Sequence, residues 1–352
     1  MDSDEERDEL DLMVYNLKSK TGRHRPRSAP SPPPRAISPS TESDSLVTIA
    51  ESDEGIGYFR EESGRVFHSL PGIPVVIPTD NAETRRLNEE YFTMKLYLGG
   101  CHWGPVEEVL APAQDGHTIR AMDIVSQGAW LDDMSEQFPH VKWHGVQFVP
   151  NRRPHRQNVV YEVYDISEGL HGAANSYDFI HSRMSGSFIK DYDRFLSDVK
   201  RLLRPGGLFM SGDYEPDLHT TESSIPRDQL PWTTKILDMF ALGIQVQGID
   251  RDRYVISPER LRTSGGFEKI SDLTIHVPVG PWDTSTELQK EIGTHFRENV
   301  KLMAYSLKPI MQRVGLSQTE VEGICEGFRQ EIWDPRVKIY NTYFGVCAFK
   351  EM

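Results

Sequence analysis

The stretch Ala121–Pro150 constrains the fold more than any other part of this chain. A short apolar strand ends at Asp123, a tight turn follows, and a helix containing Trp130 leads to a second strand, Trp143 to Phe148. Strand, turn, helix and strand is the order of a βαβ unit that binds a nucleotide. The stretch therefore predicts the centre of a nucleotide-binding sheet.

The chemical groups that such a unit normally offers are altered here. A glycine-rich turn usually lets the backbone approach the ligand, and an acidic residue at the end of the second strand usually binds the ribose hydroxyls. In this chain the turn reads Val125-Ser126-Gln127-Gly128, and the acidic position holds Gln147. The effect of these substitutions on ligand binding decides whether the chain is an enzyme or a protein that uses an enzyme's fold for another purpose.

Further strands alternate with helices along the chain. Strands are predicted at Val159–Asp165, Tyr177–His181 and Leu208–Tyr214, with a helix from Asp191 to Leu203 before the last of them. This alternation predicts a doubly wound, mostly parallel α/β sheet, whose ligands bind outside the carboxyl ends of its strands. The candidate ligand-binding residues lie just past those ends: Asp123, Ser126, Gly128, Gln147, Asp165, His181 and Arg183.

Composition sets the broad class of protein. A chain of 352 residues suits one large α/β domain with appendages, and its net charge of -14 disfavours direct nucleic-acid binding, which depends on neutralising phosphates. The three cysteines are an odd number without metal-ligand spacing, so they indicate no metal cluster or disulfide framework. No apolar run of about 20 residues predicts a membrane span. The expected location is the nucleus, the cytoplasm or both.

Residues 1–55 form a Ser/Pro-rich tail that is predicted to be disordered. The tail contains a basic cluster, Lys18–Arg27. One interpretation is a nuclear import signal, and the other is a solvated charge run that balances the acidic residues around it. A helical lead-in is predicted for residues 56–118.

Local signals predict where several helices begin and end. Asp80 is a predicted N-cap, and Gly99 is the predicted stop of the helix that follows. An apolar stripe at helical spacing spans Leu288–Val314, with a kink or end expected near Pro309. Ser317-Gln-Thr-Glu320 is a predicted capping box.

Several motifs together resemble those of a known family. Tyr177-Asp-Phe-Ile-His-Ser-Arg-Met184, Ile189-Lys-Asp191 and Leu203-Arg-Pro-Gly-Gly207 resemble the central motifs of fungal LaeA-like methyltransferases, which depend on S-adenosylmethionine. The likeness extends to Pro78–Leu87 and to the closing strand Ile339–Phe349, and so covers nearly everything after the tail. It implies a class I, Rossmann-like sheet of seven strands over residues 119–352, with a reversed last hairpin and a helical cap insertion at about 216–265.

The resemblance also implies where S-adenosylmethionine would bind. When Trp130 is matched to the family tryptophan, Gly128 is the last of three turn glycines, the first two are replaced, and the turn is one residue shorter. Gln147 replaces the ribose acid, and Asp165 matches the acid beside the adenine. Losing a charge-assisted hydrogen bond costs about 1.5–3 kcal/mol, which predicts roughly ten- to hundredfold weaker binding. The alternative is a rearranged turn that still binds the cofactor.

The remaining candidates each have two interpretations. His181 is a candidate general base, or a histidine that only forms a hydrogen bond at a strand end. Arg183 is expected to hold a ligand carboxylate or to pair with Asp178 or Asp213. Aromatic residues are candidates for an acceptor pocket or for ordinary core packing: Trp232, Phe240 and Trp282.

Two functions follow from these observations. One is a regulatory or partner subunit with weakened S-adenosylmethionine binding, which works with another methyltransferase-like or regulatory protein. The other is an active methyltransferase that acts on a protein or a secondary metabolite. The resemblance links both functions to fungal secondary metabolism or development.

Overall fold

A small hairpin precedes a sheet of alternating strands and helices in the computed structural model, which describes residues 57–125, 129–150, 156–221, 228–251 and 255–352. The predicted tail with its basic cluster, and the candidate residues Ser126 and Gly128, lie outside the described residues.

The hairpin consists of β1 (Phe59–Glu62) and β2 (Arg65–His68), which pair antiparallel. This hairpin was not predicted from the sequence, because each strand has only four residues and β1 is almost entirely exposed. Arg65 attaches the hairpin to the following helix, since its Nη2 donates to Asp80 Oδ1 at 2.9 Å.

Helix α1 (Asn81–Leu98) begins and ends at the predicted residues. Asp80 Oδ1 accepts a hydrogen bond from the Glu83 amide at 3.0 Å, and Gly99 takes the left-handed conformation, φ +68°, that ends the helix. Glu83 does not complete a capping box. It forms a buried ion pair with Arg86, 2.7 Å from Oε1 to Nη2, on the face that packs on another helix.

The main sheet has seven strands in the described residues: β3 (Arg120–Ile124), β4 (Lys142–Gln147), β5 (Val159–Val163), β6 (Tyr177–Arg183), β7 (Leu203–Thr220), β8 (Phe267–Pro278) and β9 (Ile339–Lys350). Their order is β5-β4-β3-β6-β7-β9-β8. The first five are parallel, and β9 runs antiparallel between β7 and β8. The predicted doubly wound sheet and its reversed last hairpin are confirmed.

The other described helices surround this sheet: α2 (Val106–Val109), α3 (Ala129–Gln137), α4 (Tyr192–Leu202), α5 (Pro231–Val246), α6 (Pro258–Ser264), α7 (Glu287–Ser306), α8 (Lys308–Arg313) and α9 (Gln318–Trp333). The predicted break before Pro309 is confirmed, because α7 ends at Ser306. The predicted stripe was too long at both ends, where Leu288 and Val314 are exposed. The capping box of α9 is present as predicted at Ser317.

Successive residues of the central strands enter two apolar layers on opposite faces of the sheet. Phe179 of β6 joins the layer of α3, whereas its neighbour Ile180 joins the layer of α4 and the cap helices. Because both faces are buried, the polar groups of β3, β6 and β7 are concentrated at the carboxyl ends of these strands. No helix in the described residues is long and apolar enough to span a membrane.

Candidate functional site

The carboxyl edge of the sheet holds the described candidate residues in one row. Asp123 on β3 lies opposite His181 on β6, and Gln147 at the end of β4 lies opposite Val163 of β5. Asp165 follows β5 by two residues. These side chains therefore lie at the same edge of the sheet, although their contacts differ from those expected.

His181 is held by two close contacts. Its Nδ1 lies 2.8 Å from Asp123 Oδ1, and its ring stacks on Trp130 at a centroid distance of 3.7 Å and an interplanar angle of 19°. Burial lowers the pKa of His181, so the imidazole is neutral. A carboxylate can only accept, so Nδ1 carries the proton and Nε2 is left as an acceptor.

Helix α1 is fastened over this edge of the sheet. Tyr91 donates its hydroxyl proton to Asp133 Oδ2 at 2.6 Å, and Lys95 Nζ lies 2.5 Å from the same oxygen. Trp130 Nε1 donates to the carbonyl of Cys101, just past the helix, at 2.8 Å. These bonds fix α1 against α3 and bring the buried side of α1 over the ends of β3 and β6.

Arg183 pairs with Glu90 of α1, and not with Asp178 or Asp213 as the sequence suggested. Asp178 already accepts from the amide of Arg120 at 2.8 Å, at the other end of the sheet. Asp213 is not a suitable anion either, because burial raises its pKa to about 8 and keeps it protonated at neutral pH. The guanidinium also lies over the Tyr91 ring, 5.3 Å from its centroid.

The first residue of the cofactor turn is strained. Val125 follows β3 with a φ of +64°, the left-handed region that glycine adopts without cost. A branched side chain in this region costs on the order of 1–3 kcal/mol. The chain thus retains a backbone conformation suited to glycine while adding a buried side chain beside the cleft.

The carboxylate of Asp165 is occupied by the chain itself. The amide of Gly72 donates to its Oδ2 at 2.8 Å, and the amide of Ser167 donates to its Oδ1 at 2.9 Å. A Cβ atom added at Gly72 would lie 1.9 Å from Ser167 Oγ, so only glycine permits this approach. Residues 69–78 lie between β2 and α1, and we call them the lead-in segment. Through Gly72, the lead-in segment is bound to Asp165, the acid that was expected beside an adenine.

Aromatic side chains cover the neighbouring position. Phe148 directly follows Gln147, and its ring lies 5.7 Å from the ring of His68 in the hairpin and 4.7 Å from the ring of Phe188. Gln147 itself is buried. The part of the cleft where a ribose and an adenine were expected is thus covered by the N-terminal hairpin and the lead-in segment.

Two cavities meet at the Arg183–Glu90 ion pair. The smaller one, about 20 Å³, is lined by His181, Arg183 and Trp130 and has room for about one water molecule. The larger one, about 110 Å³, is lined by Glu90 and Phe240 among others. The other two aromatics proposed for an acceptor pocket do not line either of these cavities: Trp282 Nε1 donates to the carbonyl of Ile339 at 2.9 Å, and Trp232 packs against Gly327.

Sequence analysis missed Glu90 and Gly72. A signal for Glu90 existed, because it lies one turn after Arg86 on the same side of α1 and next to the aromatic residue Tyr91. A carboxylate on a buried helix face needs a partner. Gly72 carries no comparable local signal.

The order of the strands, the antiparallel β9 and the helices α5 and α6 between β7 and β8 together define a class I methyltransferase fold. The methyltransferase domain family model matches residues 100–241. The secondary metabolism regulator LaeA of Fusarium oxysporum is 30% identical over 81% of this chain and 89% of its own length. The chain belongs to the LaeA-like family of S-adenosylmethionine-dependent methyltransferases.

The chain is also similar to a second curated relative and to a solved structure. The secondary metabolism regulator LaeA of Coprinopsis cinerea is 25% identical over 97% of this chain and 86% of its own length. Among solved structures, the phosphoethanolamine N-methyltransferase 2 of Haemonchus contortus with S-adenosylhomocysteine is 19% identical, with a TM-score of 0.39 over 79% of this chain and 61% of that one.

The cleft as described does not fit S-adenosylmethionine. The cavity beside His181 has room for about one water molecule, Asp165 is bound by Gly72, and Val125 adds bulk at the turn. Entry of the cofactor requires at least that the lead-in segment leave Asp165.

Proposed function

We propose that this chain is a LaeA-like regulatory or partner subunit in secondary metabolism, which binds S-adenosylmethionine weakly by itself and works with another methyltransferase-like protein. The observation that carries the proposal is the hydrogen bond from the Gly72 amide to Asp165, 2.8 Å long. An adenine would have to break this bond before it could make its own, and Gln147 offers no charge to the ribose in return.

The second candidate function is an active methyltransferase. It is supported by His181 at the carboxyl edge of the sheet, because its neutral imidazole leaves Nε2 as an acceptor where a general base would be needed. In this case a partner or the acceptor itself would have to move the lead-in segment before the cofactor could bind.

Calorimetric titration of the full chain with S-adenosylmethionine distinguishes the two functions. We expect no measurable heat below millimolar cofactor for the wild-type chain. The variant Gly72→Ala cannot dock its lead-in segment without a clash and should bind at least tenfold more tightly, and adding Gln147→Asp should give roughly a further tenfold. Micromolar binding by the wild-type chain would overturn the proposal in favour of an active enzyme.

Gly323→Ala is the matched control, because a Cβ atom at Gly323 on α9 has no neighbour within 4 Å. This variant should bind like the wild type. If Gly72→Ala stays folded and also binds like the wild type, the docked segment is not what restricts cofactor binding. Repeating the wild-type titration with an intact LaeA-like methyltransferase from the same organism tests the partner role, which predicts heat only in the mixture.

The basic cluster Lys18–Arg27 supports nuclear import of this subunit. Replacing Arg23, Arg25 and Arg27 by alanine in a fluorescent fusion of the full chain should shift the nuclear-to-cytoplasmic ratio toward the cytoplasm severalfold. An unchanged ratio would favour a solvated charge run.

A further inference from the structure

The larger cavity lies between α1, α5, α7 and the end of β7, on the other side of the Arg183–Glu90 ion pair from the small cavity beside His181. Its volume is about 110 Å³, and its walls are mostly apolar: Leu218, Ile236, Phe240, Phe296, Met303 and Ala304. A cavity of about 150 Å³ in another protein binds benzene, so this one is large enough for a single ring with modest adjustment of its walls. Its size alone would not separate a ligand site from a packing defect.

Three buried polar atoms of residues that line the cavity separate these cases. Within the described part of the chain, Glu90 Oε1, Tyr214 Oη and Asn299 Nδ2 have no hydrogen-bond partner, although the three residues are only 1%, 8% and 3% exposed. The opposite atoms are satisfied, since Glu90 Oε2 binds Arg183 and Asn299 Oδ1 accepts from Arg86 Nη1 at 3.1 Å. An unpaired buried polar group costs about 1–3 kcal/mol, so three beside one cavity indicate a site prepared for a polar ligand group.

The three residues come together at the end of the cavity nearest α1. Arg86 and Glu90 are one helical turn apart, and Arg86 binds Asn299 across the interface between α1 and α7. Phe296 is three residues before Asn299 on α7, and its ring stacks on Tyr214 at 5.1 Å and 28°. The residues with unpaired polar atoms are therefore grouped near α1, whereas most of the cavity wall is apolar.

We propose that this cavity binds a neutral, one-ring apolar molecule that carries a hydroxyl group, as a phenol does. A hydroxyl donates one hydrogen bond and accepts others, so it can satisfy the Glu90 carboxylate and the Asn299 amide together. Three carboxylates line the cavity, those of Glu90, Glu215 and Asp217. The Arg86 guanidinium in the lining already pairs with Glu83, so the cavity disfavours anions. This binding site does not depend on S-adenosylmethionine. The result of its test is therefore independent of the result of the cofactor titration.

Calorimetric titration of the full chain, without cofactor, with phenol, anisole and benzoate tests the proposal. Anisole has the same ring but cannot donate, and benzoate is an anion. We expect phenol to bind at least tenfold more tightly than anisole, and benzoate to give no heat. Equal binding of phenol and anisole would show that only the ring is recognised, and no heat with phenol would leave a water-filled cavity; either result would overturn the proposal.

Two variants locate the binding. Tyr214→Phe removes only a hydroxyl that has no partner among the described residues, so the fold should keep its unfolding midpoint while phenol binding falls three- to tenfold and anisole binding is unchanged. Ala304→Leu fills the cavity and should abolish binding of both compounds. Phenol binding that both variants retain would place the ligand elsewhere and overturn the assignment, and Tyr214→Phe decides the matter alone if Ala304→Leu does not fold.

Discussion

Replacing Arg183 by methionine is expected to lower the free energy of unfolding by about 3–5 kcal/mol, because the Glu90 carboxylate would remain buried without a cation. Glu90 has almost no exposed surface, and its second oxygen, Oε1, has no hydrogen-bond partner in the described residues. The loss is large for a domain whose total stability is on the order of 5–15 kcal/mol. Urea denaturation followed by circular dichroism measures it.

Two further variants separate the charge effect from the loss of a long side chain. Arg329→Met breaks an ion pair with Glu326 on the surface of α9 and should leave the midpoint unchanged within error. The double variant Arg183→Met, Glu90→Gln should recover much of the lost stability, since no buried charge remains. If Arg183→Met were as stable as the surface control, Glu90 would be exposed to water or neutral in the folded protein.

The sequence predicted the parts of this fold that depend on neighbouring residues. The caps at Asp80 and Ser317, the stop at Gly99 and the break before Pro309 each follow from a few consecutive residues and their own backbone groups. The sheet order followed from the alternation of elements together with the family resemblance. The edge of the sheet at which polar residues gather could be predicted for the same reason.

Contacts between distant residues could not be predicted in the same way. The sequence contains several carboxylates that could pair with Arg183. In the fold its partner is the buried Glu90, which is 93 residues away in the chain. Asp178 was excluded because it lies at the other end of β6, and Asp213 because its surroundings keep it neutral. The docking of Gly72 on Asp165 depends on the path of a loop, which leaves no periodic pattern in the sequence.

The turn residue Val125 was predicted in part from the sequence. The substitution of glycine was visible in the sequence, and so was the cost of any left-handed conformation at that position. Only the structure shows that this conformation is retained, with a φ of +64°. The backbone directly after β3 therefore keeps the conformation that glycine favours, although the residue there is valine.

Replacing Asp213 by asparagine is expected to make the protein more stable than the wild type at high pH and to remove a pH dependence. The pKa of Asp213 is raised from 3.8 to about 8, mainly by burial and to a smaller extent by the nearby Glu90 carboxylate, against the opposing effects of the Gly186 and Ser185 amides and of Arg183. Between these two values the folded protein holds a proton that the unfolded chain releases. Stability from this group is therefore complete below about pH 4 and is lost as the pH rises toward 8.

The size of the effect follows from about 1.4 kcal/mol for each pKa unit, which gives a loss on the order of 4 kcal/mol for the wild type between pH 5 and pH 8. Asparagine keeps an acceptor for the Gly186 amide, 3.2 Å from Asp213 Oδ1, but has no proton to lose, so the difference in unfolding free energy between variant and wild type should grow steadily over this range. Urea denaturation at pH 5, 6, 7 and 8 measures the difference, with Asp272→Asn, at an exposed position, as a control that should run parallel to the wild type.

Parallel curves for Asp213→Asn and the wild type would mean that Asp213 is ionised in the folded protein. Glu90 would then have a second buried anion close by, and Arg183 alone could not neutralise both, so the pH profile of Asp213 also tests whether Arg183 and Glu90 form an isolated pair.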